Sequence, residues 1–239
     1  MDTRLILTVI ALFGIGGALM ALAGRNAGPR RDWTKYVVYA AVILCLLVLA
    51  RVGRPWLAVL LIAIAARCTI ELRYAFGHRL SPAGTAAIFG LLLLSFGHLF
   101  WGESQTWFAS FALVLILVAT TDSFSQLSGR LLGRRLLCPR ISPGKTVEGL
   151  VGGFLAVLVV SAALAFLSPE WTLLRRTTLA MVTAVGATLG DLVFSAIKRR
   201  TGIKNFAVVL PGHGGALDRF DSLIIAAPLH VWTRMLLAP

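Results

Sequence analysis

The chain has 239 residues, 58% of them hydrophobic and only 14% charged, where an ordinary soluble domain carries ~25% charged residues. Its mean hydropathy is +0.85, and 23 Lys and Arg oppose 10 Asp and Glu for a net charge of +13. These values exclude a soluble globule, a disordered tail and a secreted disulfide scaffold. Cys45, Cys68 and Cys138 lie far apart, with no CxxC spacing that would suggest zinc.

Because the apolar residues come in long runs, the sequence describes an all-α, polytopic integral membrane protein. A spanning helix needs ~20 mostly apolar residues. The run 5–23 meets this. Ala21-Leu22-Ala23 resembles a signal-peptide cleavage site, but the run exceeds the usual ~7–15-residue apolar core, so an uncleaved first helix is expected. Further runs at 36–50, 55–76, 85–101, 107–123, 149–167, 177–197 and 222–237 bring the count to about eight transmembrane helices, the break at Arg51-Val52-Gly53-Arg54 being the shortest. No repeat, low-complexity tract or soluble domain interrupts them. The chain divides into N-terminal transmembrane helices over 1–120 and a C-terminal transmembrane region with long polar loops over 121–239. Trp33, Trp56, Trp101, Trp107, Trp171 and Trp232 fall near the ends of spans, where interfacial anchoring is expected.

Loop charge sets the orientation. Connections one, three, five and seven carry fifteen Lys and Arg, against six on the opposite side with the termini. The positive-inside rule places the odd connections in the cytoplasm and both termini outside. Multi-pass insertion, with cationic loops against anionic membrane lipids or a site for phosphorylated substrates, fits this better than binding to nucleic acid. Loops 124–148 and 198–221 then share one face.

Five of the ten carboxylates, Asp122, Glu148, Asp191, Asp218 and Asp221, lie in or beside those loops. Asp191 interrupts an apolar run, and an ionisable group at membrane depth marks a pathway, a relay or an ion site unless it is simply paired with Lys198 or Arg199. Lys198, Arg199, Arg200 and Lys204 follow, then a Gly-rich turn, Pro211-Gly212-His213-Gly214-Gly215. Asp218 and Asp221 come next at i, i+3, one face of a helix. Two carboxylates plus substrate phosphate oxygens form a typical Mg²⁺ site. Gly144-Lys145-Thr146 is not a P-loop, because position 139 is proline where the first glycine would stand. Its loop offers hydroxyls and cations suited to phosphate. Glu71 and Arg73, with Arg67, stand near the end of the third span; mutual pairing and lining of a lipid entrance are both open readings.

Together these segments resemble the phosphatidate cytidylyltransferase (CDP-diacylglycerol synthase) family. Residues 195–222 match its signature SxxKRxxxxKDxxxxxPGHGGxxDRxDS at nearly every fixed position, and Gly190-Asp191-Leu192 and Ile141–Gly149 (ISPxKTxEG) also fit. The resemblance covers about 100 residues of the C-terminal half closely. It implies a membrane enzyme that condenses CTP with phosphatidic acid, the lipid phosphate attacking the α-phosphorus as pyrophosphate leaves. It further implies a metal cluster of Mg²⁺, with room for a second cation, on Asp191, Asp218 and Asp221. Lys198, Arg199, Lys204 and Arg219 clamp phosphates in this picture. Gly212, His213, Gly214 and Gly215 cradle the α-phosphate, and Ser142, Lys145 and Thr146 bind CTP or the lipid headgroup. A homodimer is compatible with it.

Three departures stand out. Asn205 replaces the family's Asp, Phe194 stands where many members carry Glu, and Asp122-Ser-Phe-Ser-Gln126 differs from the common Asp-x-Gly-Ala-Tyr. They leave alternatives open: a paralogue using another lipid phosphate, or a catalytically impaired nucleotide-binding protein. A transporter relaying through Asp191 and Glu71 would call for internal pseudo-symmetry, which the sequence lacks.

Overall fold

The structure, a computed structural model, describes residues 3–23, 29–100, 107–207 and 214–237. Among these, each apolar run folds as an α-helix: α1 (Thr3–Ala23), α2 (Pro29–Val52), α3 (Arg54–Phe76), α4 (Pro82–Gly97), α5 (Trp107–Leu132), α6 (Val147–Ala163), α7 (Leu173–Arg200) and α8 (Leu217–Leu237). Four of them, α3, α4 with the 3₁₀ turn that extends it to Phe100, α5 and α7, are long and apolar enough to cross a membrane. Shorter apolar stretches occur in α1, α2 and α6.

Helix starts follow local chemistry. The Ser81 and Thr146 hydroxyls accept from the backbone N–H of Gly84 (3.0 Å) and Gly149 (3.1 Å), capping α4 and α6. Several boundaries differ from the sequence expectation: α2 begins at Pro29 rather than 36, and α8 at Leu217 rather than 222. The break at 51–54 narrows to Gly53, and α5 runs unbroken through position 120 to Leu132. The expected loop 124–148 is therefore two turns of helix followed by an antiparallel hairpin of β1 (Leu136–Cys138) and β2 (Ser142–Thr146). The polar extension of α5 is helical because α6 offers it a glycine face. A Cβ at Gly153 would lie on the Ser125 hydroxyl and 3.0 Å from the Thr121 carbonyl oxygen.

Helices α5 with α6, and α7 with α8, form the two most closely packed pairs. In the second pair Gly190 lets α7 approach the α8 backbone, where a Cβ would sit against the Asp221 carbonyl and 2.9 Å from the Ser222 Cα. Small side chains, Ala180, Ala184 and Ala187 against Ala226 and Ala227, continue this seam fully buried. Such close approach drives helix association in lipid, where apolar surface alone gains nothing. Pro228 stands inside α8 and cannot donate to the Ile224 carbonyl. Ser95 of α4 donates to that carbonyl instead, so the missing bond ties α4 to α8.

The tryptophans divide. Trp33, Trp56 and Trp232 are exposed, as anchoring requires, while Trp101 lies outside the described residues. Trp107 and Trp171 are buried instead. Trp107 stacks on Phe100 and lies under the Arg54 guanidinium, 4.9 Å from its ring centre, so it closes the core.

Gly190→Ala should lower stability by about 1–3 kcal/mol, because the clash is with backbone that cannot rotate away. Gly14→Ala, whose added Cβ would meet nothing within 4 Å, should not lower it. Unfolding of both purified variants in detergent checks this.

Candidate active site

The start of α8 is held by a residue 145 positions earlier in the chain. Glu71 of α3 is 1% exposed, and its two carboxylate oxygens accept from the backbone N–H of Ala216 and Leu217, both at 2.9 Å. Arg67, one turn back, donates to the same carboxylate from 3.1 Å. A carboxylate at a helix N-terminus satisfies orphan donors and the helix dipole at once. Of the two readings open for Glu71, pairing is the one observed, extended by a helix cap. Gly215 is required at this contact, since a Cβ there would come within 2.6 Å of the Glu71 Cδ.

Asp218, in the first turn of α8, ties three segments together. It accepts from Lys198 Nζ at 2.8 Å, from the Phe206 N–H at 3.1 Å and from the Gly215 N–H at 2.9 Å. Gly214 adopts φ 73°, a conformation that favours glycine, and so lets the chain turn tightly over this carboxylate. The Lys198 ammonium also lies 5.5 Å from the centre of the Phe206 ring, against which Phe194 packs edge-on. Phe194 thus fills an aromatic pocket beneath Lys198.

Asp191 is paired with Lys145, not with Lys198 or Arg199. The Lys145 Nζ reaches its Oδ2 at 2.7 Å, and the Ser195 hydroxyl donates to its Oδ1 from 3.2 Å. The hairpin makes this contact by carrying Lys145 back over the helix ends. Glu148 fixes the hairpin in turn by accepting from the backbone N–H of Arg134 and Arg135 at 3.0 and 3.1 Å. On α8, Ser222 donates its N–H to Asp221 and its hydroxyl to Asp122 of α5. Asp122, Asp191 and Asp221 lie within one another's electrostatic field.

These groups surround one cavity of about 460 Å³. Of the residues expected from sequence, Ser142, Lys145, Thr146, Asp191, Lys198, Asp218, Arg219 and Asp221 line it. Arg199, Lys204, Gly214 and Gly215 do not: the Arg199 Nε donates to the Ile141 carbonyl, Lys204 is exposed, and the Gly215 amide is taken by Asp218. Gly212 and His213 lie outside the described residues. Asn205 is exposed and is not among the residues that line the cavity. Among the described residues no group of three or more His, Cys, Asp or Glu stands close enough to hold a metal ion as the side chains are placed, and Asp218, which lines the same cavity as Asp191 and Asp221, accepts from three donors.

The profile of the cytidylyltransferase family matches residues 3–236. The chain belongs to that family. It is 34% identical over 199 residues to the phosphatidate cytidylyltransferase of Staphylococcus aureus (strain COL), covering 80% of this chain and 75% of that protein. The phosphatidate cytidylyltransferase of Haemophilus influenzae is 41% identical over 120 residues, 48% of this chain and 42% of that one. The uncharacterized protein YnbB of Escherichia coli (strain K12) is 42% identical over 120 residues, 49% of this chain and 40% of that one. The aligned region thus spans well under two thirds of two of these relatives and three quarters of the third. Four helices long and apolar enough to cross a bilayer mark a membrane protein.

Asp122, Tyr39, Ser195 and Ser222 are not among the site residues expected from sequence. Asp122 carries the same signal as Asp191, a carboxylate next to an apolar run. Nothing in the local sequence around Tyr39 marks it. Glu71→Ala should destabilise the protein by about 1–3 kcal/mol for each stranded amide. Glu71→Gln, which keeps an acceptor oxygen, should cost less; thermal unfolding in detergent ranks the two.

Proposed function

We propose that this chain transfers the cytidylyl group of CTP to phosphatidate, giving CDP-diacylglycerol and pyrophosphate. The observation that carries the reading is convergence: Ser142 and Lys145, Asp191 and Lys198, and Asp218, Arg219 and Asp221 come from three separate segments and line one cavity. Its volume of about 460 Å³ falls within the ~300–1,000 Å³ of small-molecule sites. The family and the relatives' names supply the reaction class.

A phosphate monoester is largely ionised at pH 7, so it needs no general base to act as nucleophile. One of its oxygens forms a bond to the α-phosphorus of CTP, and the bond from that phosphorus to the bridging oxygen breaks in line. Positioning and charge neutralisation do most of this work. Lys145 exchanges Asp191 for a phosphate oxygen when substrate arrives. Arg219 and the hydroxyl of Ser142 hold further phosphate oxygens at the cavity wall. Lys198 remains with Asp218 and adds positive potential beside the leaving pyrophosphate, while Thr146 keeps the hairpin on α6.

The donor set suits a divalent cation. Asp122, Asp191 and Asp221 place like charges in one field with Lys145 as the ammonium paired among them, an arrangement that a cation relieves. Asp191 and Asp221 would hold Mg²⁺, with Asp218 serving as a structural tie. Bound there, the ion supplies Lewis-acid neutralisation of the phosphate oxygens. In the orientation proposed, all eight helices cross a bacterial inner membrane and the cavity opens to the cytoplasm.

Purified protein given CTP, phosphatidate and Mg²⁺ should release pyrophosphate and form CDP-lipid. Chelation should abolish this and added Mg²⁺ restore it. Asp221→Asn should reduce turnover by about 100-fold or more, whereas Asn205→Asp should leave it nearly unchanged. Undiminished turnover in Asp221→Asn would overturn the assignment.

A further inference from the structure

A second, almost wholly apolar cleft opens off the polar cavity between α1, α2 and α5. Its deep walls are Val9 and Phe13 of α1, Ile43 of α2, and Ile116 and Ala119 of α5. At its upper end it shares Tyr36, Tyr39 and Ser123 with the cavity that holds the aspartates. The Tyr36 hydroxyl donates to the Phe13 carbonyl and so pins α1 to α2 at this junction. Tyr39, next along, lies in the field of Asp122, Asp221 and Arg219. Along α5 the wall of the cleft runs from Ile116 to Phe124, a rise of about 12 Å at 1.5 Å per residue, and its Ser123–Phe124 end also lines the polar cavity. The cleft therefore runs along the helices, from charged groups at one end into the apolar bundle.

We propose that this cleft seats one acyl chain of the lipid-phosphate substrate, the junction at Tyr36 and Tyr39 marking where headgroup gives way to chain. The inference rests on the phosphatidate reading above. Below that junction the described lining is apolar except for Thr120, too little to hold a nucleotide, whereas a diacyl phosphate whose headgroup lies among Lys145, Arg219 and the aspartates must leave the cavity by an apolar route. This one starts from the same side chains. Because lipid tails are as apolar as the cleft, a chain gains little affinity by moving from bilayer to protein. What the cleft contributes is alignment of the phosphate toward its target. Filling it should accordingly lower the rate with lipid more than it weakens nucleotide binding.

The test compares dioleoyl phosphatidate with dibutyryl phosphatidate, whose chains are too short to enter the cleft. In Ala119→Phe, and independently in Val9→Phe, kcat/KM for the dioleoyl substrate should fall by about tenfold or more. The dibutyryl value and the KM for CTP should stay as in the wild type. Equal loss on both substrates, or no loss on either, would overturn the proposal. Wild-type protein is also labelled with a phosphatidate carrying a diazirine in its acyl chain. Labels on Phe13, Ile43 or Ile116 that unlabelled phosphatidate competes away support the cleft. Uncompeted labels confined to outward-facing residues such as Leu7 and Val48 refute it. Competed cleft labelling in a protein that makes no CDP-lipid would leave the cleft standing and sink the proposed reaction instead.

Discussion

The polar mouth is built on a carboxylate that has no access to water. Glu71 sits inside the bundle, and two backbone amides of α8 close on it. That contact fixes where α8 begins, and so where Asp218 and Asp221 stand along its first turn. Without it, the glycines before α8 would leave the helix start free to fray. With it, Asp218 can reach back to the Gly215 amide and across to Lys198, and Asp221 can face Asp122 and Asp191. A buried ionised group is costly unless its partners are well placed. Here the partners are an arginine one turn away and the positive end of a helix.

Much of the site could be read from the sequence because its residues are chemically out of place. Asp191 interrupts an apolar run, and Asp218 and Asp221 follow a cationic and glycine-rich stretch. Their approach to one cavity was legible from loop charge, which put loops 124–148 and 198–221 on one face. The pairings were not legible, because they depend on distances between helices. Lys145 meets Asp191 only through the fold-back of the hairpin, and Lys198, nearer to Asp191 in sequence, turns to Asp218. For the same reason Glu71 could not be assigned before α8 was seen against α3. The departures from the family pattern also change meaning in three dimensions: Phe194 belongs to an aromatic pocket with Phe206, and Asn205 is not among the residues that line the cavity.

The fold was legible at the level of apolar runs and less so at their ends. Among the described residues the eight runs became eight helices, but hydropathy could not show that α5 continues through a polar stretch, since the glycines of α6 make room for it. Nor could it separate Trp107 and Trp171, which fill the interior, from the tryptophans that face outward. Position near a span end was the available signal, and packing between helices decided the outcome.

The distance between Glu71 and its helix has a consequence for how the protein is made. Ala216 and Leu217 follow it by 145 and 146 residues. At ~5–20 residues per second, synthesis leaves an interval on the order of ten seconds between them. During that time α3 carries a carboxylate with no helix to cap. Arg67 emerges just before Glu71 and lies one turn away on the same helix, so the pair can cross into the bilayer together. When α8 arrives it adds two amides to a carboxylate that has already been accompanied, and so completes the mouth.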